Sequence, residues 1–320
     1  MKAAFINQFA EKGNLHIGQL SPPKPHDEEV CIAVAYAGVN PVDGKIAKGF
    51  LRSRLPHRFP IILGWEAAGT IHSVGKNIRT YKKGDPVYVY CRKPIIQHGT
   101  WAEYVTSAAE HVAFKPRNLT FAQAAAVPLA GLTSWQALFV KAKLRAKEKV
   151  LIHAGAGGVG GFAIEWAKNQ GSYVITTASS TKHDYVKSLG ADEIIDYQNE
   201  SFVEAMRRGH PHGIDVVMDT VGGDTYTQSF EVLKPGGRIV SILEEPNQKL
   251  AKAYAVDAEY LFVYPDGKNL SEITSLYESN KVKLPLVQTF NLDQAEEAME
   301  LIRSGHVSGK IVLRIAENGK

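Results

Sequence analysis

A short apolar strand, a glycine-rich turn and a helix follow one another, and this succession constrains the fold more than any other feature of the sequence. The strand is Val150–Ile152, the turn runs from His153 to Gly160, and the helix continues from Phe162 to Lys168. The turn has the spacing G-x-G-x-x-G, which permits a tight bend, close approach of a pyrophosphate and close packing of the helix. The helix start also offers free N–H groups to phosphates. We therefore predict a dinucleotide site, the alternative being a turn without a ligand; its residues are Gly155, Gly157, Gly158, Val159 and Gly160.

Strands and helices alternate after this turn. Further strands are predicted at Tyr173–Thr177, Ile194–Ile195, Asp215–Met218 and Arg238–Ser241, with a helix at Lys182–Leu189. This alternation predicts βαβ units and a parallel sheet. The residues before Thr120 instead carry short β-rich runs, such as Glu29–Tyr36, separated by Gly and Pro, which predicts a compact β-rich domain. The C-terminal part is predicted to contain two helices and a strand, at Leu270–Ser279, Leu292–Ser304 and Lys310–Ile315.

The composition excludes several classes of protein. The chain has 320 residues, of which 44% are apolar and 22% charged, and this favours an ordinary globular protein of about two domains. Only Cys31 and Cys91 are present, so a disulfide framework is excluded and a reducing compartment, the cytoplasm, is predicted. No apolar run is long enough to span a membrane. The net charge of +4, without a basic arm or zinc-finger spacing, argues against nucleic-acid binding.

The end of the second predicted strand favours NADPH over NADH. An NAD site usually places Asp or Glu about 20 residues after the turn, to hold the ribose 2′-hydroxyl. Here the strand is followed by Ser179-Ser180-Thr181-Lys182, which contains no carboxylate. Lys182 can pair with a 2′-phosphate, and Ser179 can donate a hydrogen bond to it. The alternative is that Ser180 or Thr181 only caps the next helix while Lys182 is solvated, although capping and phosphate binding can coexist.

Five further motifs accompany the glycine turn, and their order extends over nearly the whole chain. They are Gly38–Asp43 (GVNPVD), Gly84-Asp85-x-Val87, Gly99–Val105 (GTWAEYV), Ala124–Leu138 (AAAVPLAGLTSWQAL) and Gly309–Leu313 (GKIVL). Together these motifs resemble the medium-chain dehydrogenase/reductase superfamily. Within that superfamily the chain resembles the zinc-independent quinone oxidoreductase branch, whose members are similar to zeta-crystallin.

The resemblance implies an α/β fold with two domains. A Rossmann domain with a doubly wound parallel sheet is expected at residues 124–264, and a GroES-like β-rich catalytic domain is expected from both chain ends, 1–123 and 265–320. It also implies a cofactor cleft between the domains and a homodimer. Members often reduce quinones or α,β-unsaturated ketones and aldehydes with NADPH. A small-molecule quinone or enone is therefore the expected substrate, and the physiological acceptor stays open.

The resemblance also assigns site residues. Gly157, Gly158 and Val159 would line the pyrophosphate. The positions around the 2′-phosphate are Ser179, Ser180, Lys182 and Tyr197. The positions near the nicotinamide and its ribose are Asn40, Thr133, Leu243, Phe262 and Val263. Arg314, which follows the GKIVL motif, is a further candidate for the cofactor.

The positions that hold zinc in related alcohol dehydrogenases carry other residues here. A catalytic zinc needs about three protein ligands with N, S or O donors. Asn40 stands at the first cysteine position, and Gly64-Trp65-Glu66 replaces the Gly-His-Glu motif. The indole of Trp65 can only donate, and the third position falls near Ala130, which has no ligand atom. We therefore expect no metal.

Without a Lewis acid, conjugated carbonyls and quinones are the expected hydride acceptors. Asn40 is the expected positioning donor. The candidate proton donors are solvent and a tyrosine, Tyr264 or Tyr260, and the alternative for each tyrosine is packing or a dimer contact. Trp65 and Trp101 are expected as cleft walls or as buried scaffold. The leading prediction is an NADPH-dependent quinone or enone reductase, and the alternative is a non-catalytic NADPH-binding sensor or structural protein.

Four histidines, His98, His153, His210 and His212, invite a metal assignment that the sequence does not favour. His210 and His212 lie in a polar loop and are predicted to be solvated. His153 ends the first Rossmann strand and is predicted to be a packing or turn residue.

Overall fold

The computed structural model describes residues 1–305 and 307–316, which divide into two compact units. The first unit contains Met1–Leu129, Tyr264–Asn280 and the residues from Leu286 onward; the second contains Ala130–Val263 and Lys281–Pro285. The first unit is β-rich and combines N-terminal and C-terminal segments of the chain, which confirms the predicted fold class.

Nine strands lie in the first unit before residue 130. They are β1 Lys2–Ile6, β2 Leu15–Gln19, β3 Glu29–Val39, β4 His57–Ile62, β5 Glu66–Val74, β6 Pro86–Tyr90, β7 Ile96–His98, β8 Tyr104–Ala108 and β9 Val112–Phe114. Two helices accompany them, α1 Pro41–Ala47 and α2 Phe121–Ala125. Helix α3, Pro128–Trp135, begins with the last residues of this part; its residues from Ala130 onward, and the π-helical stretch Gln136–Lys141 that follows, belong to the second unit. Helix α1 was not predicted, although Asn40 and Asp43 form a capping box around Pro41, which is a recognisable start signal.

The second unit contains a six-stranded parallel sheet. Its strands are β10 Lys149–Ile152, β11 Tyr173–Thr177, β12 Glu193–Ile195, β13 Ile214–Asp219, β14 Leu233–Ser241 and β15 Asp257–Tyr260. Their order in the sheet is β12-β11-β10-β13-β14-β15, which is the doubly wound order of a Rossmann fold. The order reverses between β10 and β13, and ligands of such sheets bind at the carboxyl ends of the strands at this point.

The apolar runs of the sequence form the centre of this sheet. Val150, Leu151 and Ile152 are fully buried, as are Val216 and Val217 on the neighbouring strand, because a central parallel strand is covered on both faces. The helices of the unit are α4 Gly158–Asn169, α5 His183–Ser188, α6 Phe202–Gly209, α7 Gly223–Gln228 and α8 Gln248–Tyr254.

The C-terminal part of the chain completes the first unit. It contains α9 Gly267–Glu278, β16 Val287–Asn291, α10 Ala295–Arg303 and β17 Lys310–Arg314. Strand β17 pairs antiparallel with β3, and β3 pairs on its other side with β5. No helix in residues 1–305 or 307–316 combines the length and the apolar character that crossing a membrane requires.

Candidate functional site

The glycine turn connects β10 to α4 at the point where the strand order reverses. A Cβ atom on Gly155 would lie 2.0 Å from Thr176 Oγ1, and one on Gly160 would lie 2.3 Å from the Ala154 carbonyl oxygen. Both glycines are therefore required by packing. A Cβ atom on Gly157 would meet only the Ala154 oxygen, at 3.3 Å. Gly157 is also the N-cap of α4 and provides no side-chain cap, so the N–H groups of the first helical turn are available to an anion.

A chain of buried hydrogen bonds through His153 connects the glycine turn to the end of β11 and to Ser229. The Ala154 N–H donates to Thr177 Oγ1 (3.0 Å), and this hydroxyl lies 3.4 Å from His153 Nδ1. On its other side, His153 Nε2 lies 2.9 Å from Ser229 Oγ. Because the Ser229 hydroxyl donates to the Thr225 carbonyl, Nε2 must carry the imidazole proton and donate it to Ser229. Burial lowers the pKa of His153 to about 4. The prediction of a packing or turn residue here is confirmed, and the ring is neutral.

A second buried group, Asp219, organises the neighbouring loops. Its Oδ1 accepts hydrogen bonds from the N–H groups of Val221 (3.0 Å) and Gly222 (2.9 Å), and its Oδ2 accepts one from the Ser241 hydroxyl (2.6 Å). Ser241 Oγ in turn accepts the Leu243 N–H (3.1 Å). The loops after β13 and β14 are thus fixed to one carboxylate. Sequence reasoning identified Leu243, whose side chain is half exposed, but missed the aspartate that holds its loop.

The residues predicted for the 2′-phosphate lie after two adjacent strands, β11 and β12. Ser179, Ser180 and Lys182 share one loop, where Ser179 Oγ lies 3.2 Å from Thr181 Oγ1 and caps no helix. Tyr197 follows β12 and is 57% exposed. These hydroxyls and the ammonium can be reached from solvent, as a phosphate site requires.

A carboxylate that the sequence analysis did not consider stands beside this group. Asp196 accepts hydrogen bonds from the Gln198 N–H and the Asn199 side-chain amide. Partial desolvation raises the pKa of Asp196, but these two donors, together with His183 and the Ser180 hydroxyl, bring it below its ordinary value. The anion is therefore held mainly by its own turn, and it adds a negative charge near Ser180.

In the first unit, the predicted site residue Asn40 belongs to a buried cluster of charged groups. Ile311 pairs with Val39, and Ala37 pairs with Ala67, so this register brings the start of β17 and the start of β5 to the end of β3. Lys310 and Glu66, the residues at those starts, have side chains that are 4% and 0% exposed.

Hydrogen bonds connect these three side chains, which we call the Asn40 network. Lys310 Nζ donates to Glu66 Oε1 (2.8 Å) and to Asn40 Oδ1. Asn40 Nδ2 donates to the same Glu66 oxygen (2.7 Å), and Glu66 Oε2 accepts the Leu129 N–H (2.6 Å). Sequence reasoning placed Asn40 in the site but missed its two charged partners.

Asp43 is a fully buried carboxyl group next to the network. Its two oxygens accept the N–H groups of Asn40 (2.8 Å) and Gly64 (3.2 Å). Desolvation raises the pKa of Asp43 to about 7; the charge of Glu66 acts in the same direction, whereas the two N–H donors and Lys310 oppose it. This carboxyl therefore titrates near neutral pH.

The donor atoms in this cluster do not fit a zinc ion. Asn40 Oδ1 and Glu66 Oε1 both face the Lys310 ammonium, which would repel a dication. Trp65 can only donate, and a zinc site needs about three lone-pair ligands. Within residues 1–305 and 307–316, no three His, Cys, Asp or Glu side chains form a group that could hold a metal.

The other predicted residues divide between the units. Thr133, Phe262 and Val263 belong to the second unit, where Thr133 and Val263 are buried. Tyr264 belongs to the first unit and is 40% exposed. Tyr260 ends the edge strand β15.

Local contacts resolve the expectations for the two tryptophans. Trp101 is fully buried and donates from Nε1 to the Gly38 carbonyl, and Trp65 is buried as well, so both are scaffold residues. Arg314 Nε donates to the Tyr36 hydroxyl at 3.2 Å, and the assignment of Arg314 to the cofactor stays a prediction.

The prediction that His210 is solvated was wrong, although His212 is exposed as expected. His210 is 8% exposed, and its ring nitrogens lie 3.0 Å from Lys149 Nζ and 3.0 Å from Glu193 Oε2. The loop before β13 returns the ring to the amino ends of β10 and β12, where these two side chains project, and sequence spacing could not show this.

Comparison with known proteins supports the family resemblance that the sequence motifs indicate. The chain matches the family model "Alcohol dehydrogenase GroES-like domain" over residues 26–117 and the model "Zinc-binding dehydrogenase" over residues 189–313. It is 32% identical over 311 residues to a chloroplast envelope quinone oxidoreductase homolog of Arabidopsis thaliana, covering 92% of both chains. It is 33% identical over 300 residues to the NADPH-dependent alkenal/one oxidoreductase of the same plant, covering 91% of this chain and 73% of the relative.

A solved structure extends the likeness to the whole fold. The quinone oxidoreductase of Coxiella burnetii superposes with a TM-score of 0.88 at 34% identity, and 99% of each chain is covered. The glycine turn, the Rossmann strand order, the β-rich unit and these relatives agree with one another. The chain belongs to the medium-chain dehydrogenase/reductase superfamily, in its zinc-independent quinone oxidoreductase-like branch, and is an oxidoreductase of that type.

Proposed function

We propose that this oxidoreductase uses NADPH to reduce quinones or α,β-unsaturated carbonyl compounds. Two features carry the proposal. Helix α4 begins after Gly157 without a side-chain cap, and the loop after β11 carries the hydroxyl groups of Ser179 and Ser180 and the ammonium group of Lys182. The first feature suits a pyrophosphate, and the second suits a 2′-phosphate.

The chain's own residues would hold the cofactor in two places. The N–H groups of Gly158 and Val159 lie in the first turn of α4, where the helix dipole also favours negative charge. Lys182 offers a cation, and Ser179, Ser180 and Tyr197 offer hydroxyl donors for charge-assisted bonds to a phosphate. The Asp196 charge works against this preference, although that carboxylate is already hydrogen-bonded by its own turn.

The residues of the first unit favour a conjugated acceptor. NADPH supplies a hydride when it is bound. Negative charge then develops on the oxygen of the acceptor, where a preorganised donor stabilises it. The Asn40 network contains such a donor, the Asn40 amide, whereas its two acceptor oxygens face the Lys310 ammonium and do not suit a metal ion. We assign Asn40 the role of positioning donor and Tyr264, which is exposed to solvent, the role of proton donor.

The relatives agree with this choice of substrate. One is named for quinones and another for alkenals and alkenones, and all of these are conjugated carbonyl compounds. A simple ketone or alcohol would need stronger activation than an amide N–H provides.

Steady-state oxidation of NADPH tests the proposal. The purified protein should oxidise NADPH in the presence of 1,2-naphthoquinone or a panel of alkenones, and should act much more slowly with saturated ketones of the same length. If the protein binds NADPH tightly but reduces none of these acceptors, the result would instead favour the non-catalytic sensor or structural protein. Faster turnover with NADH than with NADPH would contradict the cofactor assignment.

A cytoplasmic location and a homodimer complete the proposal. Both cysteines are buried and free, which suits a reducing compartment. Light scattering after size-exclusion chromatography should give twice the mass of one chain; the mass of one chain alone would contradict the dimer.

A further inference from the structure

We infer that Lys310 is a positioning residue, which fixes the direction of the Asn40 amide so that one N–H of Asn40 is presented to the reacting molecules. The inference rests on the proposed function, in which Asn40 is the positioning donor. It identifies a residue far away in sequence on which that donor depends.

The Asn40 amide has two possible orientations, and the network permits only one. Lys310 carries donors alone, and an ionised Glu66 carboxylate carries acceptors alone. In the observed arrangement, the Asn40 oxygen faces the ammonium and the Asn40 nitrogen faces the carboxylate. A rotated amide would place oxygen against oxygen and N–H against ammonium. Two opposite charges therefore determine the orientation.

The Asn40 amide has one hydrogen-bond donor left after it has bound Glu66 and Lys310. An asparagine amide has two N–H groups and one carbonyl oxygen. One N–H binds Glu66 and the oxygen binds Lys310, so a single N–H remains for another molecule. A group that must stabilise charge on an acceptor oxygen has to be a donor, and the network leaves Asn40 in that form.

Lys310 acts through Asn40 and does not itself contact a ligand. Its ammonium has three protons, and three acceptors surround it: Glu66 Oε1, Asn40 Oδ1 and, at 3.5 Å, the Val39 carbonyl. The Lys310 side chain is 4% exposed. The cation is saturated by the protein, and its effect on the reaction has to pass through the amide it holds.

The test compares the removal of Lys310 in two backgrounds. Lys310→Met alone leaves the Glu66 charge buried without its partner and could unfold the protein, so the main variant is Lys310→Met with Glu66→Gln, which removes both charges. In the wild-type background this pair should lower kcat at least ten-fold with an NADPH-saturated enzyme. In an Asn40→Ala background the same pair should lower kcat less than two-fold, because the group it positions is already absent.

A second readout does not depend on turnover. In protein labelled with ¹⁵N at asparagine, the Asn40 side-chain amide is assigned by its loss in Asn40→Ala. The paired variant should shift this signal and increase its hydrogen exchange. The matched control is Lys2→Met with Asp293→Asn, which removes an ion pair whose side chains are 37% and 64% exposed, and which should change neither the signal nor kcat.

The outcomes separate the inference from the proposed function. The same fold-loss of kcat in both backgrounds, or an Asn40 signal that does not change in the paired variant, overturns the role of Lys310 while leaving the reductase activity in place. A wild-type protein that turns over no acceptor removes the proposed function, and the amide signal then decides by itself whether Lys310 orients Asn40.

Discussion

Gly38 provides the space that the Glu66 carboxylate occupies: a Cβ atom on residue 38 would lie 2.2 Å from Glu66 Oε1. The Asn40 network is therefore built on a backbone position without a side chain. The motif GVNPVD contains both the space and the amide, and β5 contributes the carboxylate that fills the space.

Gly38→Ala should destabilise the protein by about 1–3 kcal/mol, because the new methyl group overpacks a buried charged cluster. Urea denaturation measures the effect. Gly44→Ala is the matched control: it lies in α1, and its new Cβ would be 3.4 Å from the nearest atom, on Arg303. The control should be neutral or slightly stabilising, and equal destabilisation by both variants would contradict the packing argument.

Gly157→Ala should separate binding from folding. Its Cβ meets only one atom, at 3.3 Å, so the free energy of unfolding should fall by less than about 1 kcal/mol. The added methyl stands where a pyrophosphate would approach the backbone, and the Kd for NADPH should rise at least ten-fold by fluorescence titration.

Gly160→Ala should give the opposite pattern, with a loss of stability of about 1–3 kcal/mol, because its Cβ would lie 2.3 Å from a backbone oxygen. If Gly157→Ala left NADPH affinity unchanged, the pyrophosphate assignment would be wrong.

Lys182→Ala should weaken NADPH and leave NADH nearly unchanged. Loss of one charge-assisted bond costs about 1.5–3 kcal/mol, or roughly ten- to 150-fold in Kd. Isothermal titration with both cofactors measures the difference. Lys187→Ala, an exposed lysine on α5, serves as the control for net charge. Equal weakening of both cofactors by Lys182→Ala would refute contact with the 2′-phosphate.

Because His153 is buried in its neutral form, the free energy of unfolding should decrease as the pH falls below 6.5. Its pKa falls from 6.5 to about 4 on burial, so the unfolded chain binds the proton more readily. The stability that the neutral ring contributes is complete above pH 6.5 and decreases as the pH falls toward 4, by at most about 1.4 kcal/mol per pH unit.

His153→Gln keeps a polar group but does not titrate, and it should flatten the slope of unfolding free energy against pH between 6 and 4.5. The exposed His212→Gln is the control and should keep the wild-type slope. Identical slopes for His153→Gln and the wild type would show that the ring is not held neutral.

Local patterns were sufficient to predict much of the fold. The strand Tyr173–Thr177 has the predicted bounds, and the turn from β10 to α4 lies where its glycines indicate. These features depend on residues that are close in sequence, so their signals are local.

The partners of the site residues could not be predicted in the same way. Lys310 meets Asn40 across a separation of 270 residues, and this contact depends on how β17 registers with β3. Asp219 and His210 were missed for a related reason, since each has partners on neighbouring strands. Single-sequence patterns contain no information about which strands become neighbours.

The position of Lys310 has a consequence for the way the chain folds during synthesis. The ribosome makes Asn40 and Glu66 early, whereas their counter-charge is made only after the whole of residues 130–263. Until then Glu66 has no cation with which to be buried, and a carboxylate without a partner stays hydrated. By that time the second unit, including residues 281–285, has been made completely, so we expect the first unit, although begun earlier, to complete its buried charge network after the second unit can fold.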